Sequence, residues 1–198
     1  MEGAKNPMIL QKIKRVDALA LYPKFPVTEV EKNAYYFPEV YASYRLMVAS
    51  DKGPSVAKDI AANLTLLVAN ISYDSLLFMG DLKFPLYRKP GALPSGIKAV
   101  SYLQANEIGP RFNGAIKVYL PSLKEFTRHL YWMVRTNTAC GVIHFMDEGQ
   151  NILGSIHYQG EVLLASLNKA THQQLLSAFK KTGFKTELVK HPWHFPPP

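Results

Sequence analysis

The sequence holds a single cysteine, Cys140, so no internal disulfide framework can brace it and a reducing compartment is expected. It has no apolar run approaching the roughly 18 residues that a membrane-spanning helix needs, so no membrane partner is expected. The opening Met1-Glu2-Gly3-Ala4-Lys5-Asn6-Pro7 lacks the apolar core of a secretory leader, and the expected location is cytoplasmic. Acidic charge is scarce as well. Fifteen Asp and Glu stand against 23 Lys and Arg, a formal net charge of +8. The basic residues are scattered, with no run longer than Arg88-Lys89 or Lys180-Lys181, so the excess favours anionic partners without marking a basic tail.

Recognisable catalytic sets are missing too. Gly91–Gly96 and Gly109–Gly114 have the glycine spacing of a phosphate loop, but Ile97-Lys98 and Ala115-Ile116-Lys117 follow them. A phosphate loop needs Lys directly after the second glycine and then Ser or Thr, so no nucleotide or other cofactor is expected. Asp81 and the Asp147-Glu148 pair sit in turn contexts that explain them without a reaction. No carboxylate is placed to orient a histidine, and the balance leans away from an enzyme.

The best-marked element is a helix over residues 121–137. Ser122 and Glu125 have capping-box spacing, and Leu123, Phe126, Leu130, Met133 and Val134 form an apolar stripe. Lys124, Arg128, Tyr131 and Arg135 fall on another face. That face is the candidate anion- or nucleic-acid-binding surface, with three phosphate contacts and a stacking ring.

The surroundings of this helix recur 67 positions earlier, where Pro54-Ser55, Asn70 and Phe78-Met79 match Pro121-Ser122, Asn137 and Phe145-Met146. The equal spacing suggests an internal strand–helix–strand repeat. Residues 1–42 read as a helix through about Leu21 followed by an aromatic, Pro-bounded arm. Residues 43–95 read as a first β-α-β-β unit, residues 96–190 as a second, extended by strand, helix and strand, and residues 191–198 as a Pro-rich tail. The units are also compatible with one globule. Thr171 and Gln174 give a second capping-box spacing before the last helix, which Gly183 should stop.

Cys140 has neighbours to weigh. Alternation puts it on one strand face with His144, and a hairpin through Asp147–Gln150 would set it opposite His157 near Ser155. The three could form a thiolate–imidazole pair or an open metal site; equally, they are small and polar residues packing on a sheet. No metal is assigned.

The expected fold class is therefore α+β: two related β-α-β-β units in a mixed, mainly antiparallel sheet, with helices on one face and a C-terminal helix and strand. The same element order occurs in ferredoxin-like and clamp-like folds, an analogy of shape only. The expected function is a non-catalytic binding or assembly module that holds a protein partner, or a second copy of itself, through an open sheet face or the aromatic arm. Nucleic-acid binding by the helix at 121–137 is the first alternative, and a small enzyme or metal site at Cys140, His144 and His157 the second.

Overall fold

A computed structural model describes residues 10–32 and 34–190. The chain is α+β. In order it forms β1 (Leu10–Ile13), α1 (Arg15–Leu21), β2 (Val27–Glu29), β3 (Ala34–Tyr36), β4 (Ala42–Met47), α2 (Gly53–Asn70), β5 (Ser75–Gly80) and α3 (Pro94–Ala105). There follow β6 (Ala115–Tyr119), α4 (Leu120–Arg135), β7 (Ile143–Asp147), β8 (Ile152–Ile156), β9 (Glu161–Ser166), α5 (Lys169–Phe179) and β10 (Lys185–Val189). Eight strands make one sheet in the order β1-β6-β5-β7-β8-β9-β4-β10, while β2 and β3 form a separate hairpin. Every ladder among the described residues is antiparallel.

Alternation along the strands builds two cores. Leu76, Phe78, Ile116, Val118, Phe145, Val162, Leu164, Tyr44 and Leu46 face the layer formed by α2, α3, α4 and α5. Leu77, Met79, Ala115, Met146 and Leu153 face the other way, beneath Ala18, Tyr22 and Phe25. The second sheet face, expected to be open, is thus covered over its centre by α1 and the arm. Its apolar residues have no other means of leaving water.

Helices α2 and α4 lie side by side and start at Gly53 and Leu120, positions 67 apart. The strands that follow them, β5 and β7, are neighbours and pair antiparallel. The strands that precede them differ in place: β6 runs straight into α4 and neighbours β5, whereas β4 lies beyond β9. Segments of both units thereby interleave in a single sheet.

Several local expectations need correcting. Neither capping box forms. Tyr119 caps α4 without a side-chain bond, because the helix starts straight off β6 and leaves Ser122 inside the first turn. At α5 the cap is Asn168, whose side chain accepts from the Thr171 amide at 2.8 Å. That helix already ends at Phe179, ahead of Gly183. The expected helix through Leu21 is broken near Lys14: Leu10–Ile13 instead add a strand to β6, leaving Val16 79% exposed. The remainder of that segment, residues 1–9, and the Pro-rich tail at 191–198 lie outside the described residues.

Candidate functional site

Lys124, Arg128 and Arg135 are exposed on α4, as their spacing suggested. Tyr131 is not: only 2% of it is accessible, and it belongs to the core. The reason lies in the flanks of α4. On one side α3 packs close, with Tyr102 stacked on His129 at 4.2 Å, and on the other lies α2. A helix flanked on both sides buries a wider arc than one stripe, so Thr127 and Tyr131 are taken inside with Leu123, Phe126, Leu130 and Met133. Three cations remain, and the expected stacking ring is lost.

Those three cations also sit where the two helices diverge. The positions of α2 that lie 67 earlier are Ala57, Ala61 and Val68, all buried. The basic positions on α4 therefore have no charged counterpart on α2.

The structure does not bring Cys140, His144 and His157 together. Hairpin β7–β8 pairs His144 with Ser155 and Phe145 with Gly154, a register two residues away from the expected one. Asp147 causes the shift. Its carboxylate accepts from the amides of Gly149, Asn151 and Ile152 at 3.0, 2.6 and 2.8 Å, so the turn spans 148–151. Cys140 lies before β7 and its amide donates to Leu86 O at 3.2 Å, while His157 follows β8 and its amide donates to Glu161 O. No hydrogen bond joins Cys140 to His157. Among the described residues no group of three His, Cys, Asp or Glu side chains is placed to hold a metal.

His144 belongs to a different arrangement. It lies fully buried under the arm, edge-on to Phe25 and Phe37 with ring centroids at 6.4 and 6.2 Å, and the Tyr35 hydroxyl is 3.5 Å from its Nε2. Burial pushes its pKa down to about 3, and the same desolvation raises that of Tyr35. Close by, the Arg15 guanidinium donates to the carbonyls of Gly80 and Asp81 at 2.8 and 3.0 Å. The Asp81 carboxylate accepts from Thr28 Oγ1 at 3.1 Å and the Val142 amide at 3.0 Å. Desolvation lowers the pKa of Arg15 and raises that of Asp81. These groups tie the arm and α1 to the sheet.

A broad concavity lies between the arm and the last edge of the sheet. It encloses about 960 Å³ and is lined by Tyr35, Phe37, Pro38, Val40, Tyr41 and the end of β10, among others. Strand β10 is an edge strand whose side chains are open on both faces, and Leu188 is 69% exposed. Arg45 reaches from β4 to Glu161 at 3.4 Å and to Glu187 at 3.7 Å. The sequence carries a sign of this edge. In Lys185-Thr186-Glu187-Leu188-Val189 alternation puts Lys185, Glu187 and Val189 on one face and Thr186 and Leu188 on the other, so neither face is continuously apolar, the pattern of a strand wet on both faces.

Comparison with protein-family models, with curated proteins and with solved structures finds no match to this chain.

Proposed function

We propose that the chain is a non-catalytic assembly module that joins a second copy of itself through the β10 edge, with the aromatic groove beside it taking part in the contact. The observation that carries this reading is the edge itself. Among the described residues β10 pairs on its β4 side alone, which leaves a row of backbone groups unpaired beside a 69% exposed Leu188 and an adjoining apolar concavity, features that natural sheet edges ordinarily conceal.

Charge selects the register. A second β10 laid antiparallel with Glu187 opposite Glu187 sets like charges face to face. Centred on Thr186, the pairing puts Lys185 opposite Glu187 twice, on the sheet face away from the helices. The two-fold axis then stands perpendicular to the sheet, and both helix layers lie on the same side.

Light scattering across a concentration series tests this. The wild-type chain is expected to reach twice the monomer mass, Lys185→Glu and Glu187→Lys to remain monomeric, and the double exchange to recover association. A wild-type monomer at every concentration, or a double exchange no better than either single variant, overturns the proposal.

A further inference from the structure

The molecule is electrically divided. Lys12 meets Glu107 at 3.3 Å, Lys32 meets Glu29 at 2.7 Å, Lys117 meets Glu148 at 2.8 Å, and Arg45 meets both Glu161 and Glu187. All these pairs lie on the strands, the arm or the loops at the sheet edge. The four helices of the other layer carry Lys58, Lys98, Lys124, Arg128, Arg135 and Lys169 against only Asp59 and Glu125. Asp59 is half-buried and engaged by the Ser50 hydroxyl, and Glu125 touches Arg128 only at 4.0 Å. Among the described residues, none of the four lysines has an ion-pair partner. The four helices thus carry six cations against two acids, a net +4 out of the chain's formal +8, on the outer surface of their layer.

Its arrangement is linear. Lys124, Arg128 and Arg135 span about 16 Å along α4 at 1.5 Å per residue. Gly96, at the start of α3, lies against Thr136 at the end of α4, and Tyr102 lies over His129, so α3 runs antiparallel to α4 and brings Lys98 toward the Arg135 end. Arg88 continues the row by donating to Asn137 O at 2.7 Å, just past that end, with Lys89 exposed beside it. The steps along α4, about 6 and 10 Å, are roughly two and three times the 3.4 Å axial rise per phosphate on one strand of a duplex, so the row can meet every second or third phosphate.

The surface also decides which nucleic acid it suits. Single strands are held by bases stacked on exposed aromatic rings. Here Tyr131 is buried, Tyr102 is covered by His129, and Trp132 is packed against Gly53. Among the described residues, no Tyr, Phe or Trp ring on α3 or α4 is exposed as a platform; the exposed ring nearest the row is Tyr158, outside those helices, whose carbonyl accepts from Arg135 at 2.9 Å. We infer that the outer face of α3 and α4 binds the phosphate backbone of double-stranded nucleic acid without reading its sequence. This inference is independent of the β10 edge.

The test is fluorescence anisotropy of the full chain with a 20-base-pair DNA duplex of arbitrary sequence, between about 50 and 200 mM salt. With about five phosphate contacts, affinity should fall roughly 500-fold over that range. The variant Lys124→Glu/Arg128→Glu should weaken binding at least tenfold at the lower salt, while Lys12→Glu, on the sheet edge, should not. A single strand of the same length should bind more weakly than the duplex. The inference is overturned if the duplex does not bind at 50 mM salt, if both variants weaken it equally, or if the single strand binds more tightly. It is overturned as well if anionic lipid vesicles retain the protein and the duplex does not. Light scattering on Lys124→Glu/Arg128→Glu separates this result from the fate of the assembly proposal.

Discussion

Phe78 and Phe145 stand directly opposite each other on neighbouring antiparallel strands, with ring centroids 5.6 Å apart, and they are also corresponding residues of the two segments related by an offset of 67. Each is fully buried beneath the helix pair, and Phe126 closes over Phe78 at 4.7 Å. Corresponding residues that meet this way lie on a local two-fold axis through the β5–β7 ladder. The axis relates α2 with β5 to α4 with β7, and it stops short of β4 and β6.

The Phe145 ring needs room that only a glycine provides. Gly154 is its cross-strand partner, and a Cβ there would fall inside the ring. Gly154→Ala is expected to cost about 1–3 kcal/mol through overpacking, seen as a lower urea midpoint. Adding Phe145→Leu to that variant should recover part of the loss, because the obstructing ring is gone.

Thr127 gives the opposite sign. It is fully buried on α4, its hydroxyl has no hydrogen-bond partner among the described residues, and the corresponding residue on α2 is Ile60. A buried hydroxyl left unsatisfied carries a desolvation penalty of about 1–3 kcal/mol. Thr127→Val keeps the shape and removes the polar atom, so it should raise the thermal midpoint by several degrees.

Arg15 anchors the arm. Its two bonds to the Gly80 and Asp81 carbonyls are charge-assisted and buried, the kind worth roughly 1.5–3 kcal/mol each. Arg15→Met should loosen α1 and the arm while leaving the helix-side core intact. Limited trypsin digestion is expected to cut at Lys24 or Lys32 well before it does in the wild type. Equal cleavage rates would show that the apolar contacts of Tyr22 and Phe25 hold the arm unaided.

The elements that the sequence revealed are those whose own residues suffice to specify them. The stripe of α4, the hairpin strands and the match between Phe78 and Phe145 follow from periodicity and spacing. Contacts from distant segments decided the remainder. Leu10–Ile13 became a strand because β6 offered an edge, and Tyr131 went inside because α4 has two flanking helices. His144 was legible as one face of a strand, but nothing local shows that the arm folds over that face. The two-residue difference in the β7–β8 register came from Asp147, whose bonds to Gly149, Asn151 and Ile152 move a turn of the same four-residue length one position on, from 147–150 to 148–151.

His144 makes stability depend on pH. Its folded pKa, near 3, lies below the ordinary value of about 6.5 that it regains on unfolding. A base whose charged form is excluded from the native state contributes nothing adverse above pH 6.5. As pH falls below that value, the unfolded chain takes up a proton that the native chain cannot, and stability declines toward pH 3. From pH 7 to pH 5 the loss should be about 2 kcal/mol from this residue alone. Burial lowers the pKa of His129 and His157 too, which adds to the slope, whereas the raised carboxyl of Asp81 opposes it. The informative quantity is therefore the difference between wild type and His144→Phe in urea unfolding at the two pH values. The variant should lose about 2 kcal/mol less between pH 7 and pH 5. Parallel pH profiles would place His144 in a wetter or better-paired setting than the covering by Phe25, Phe37 and Tyr35 implies.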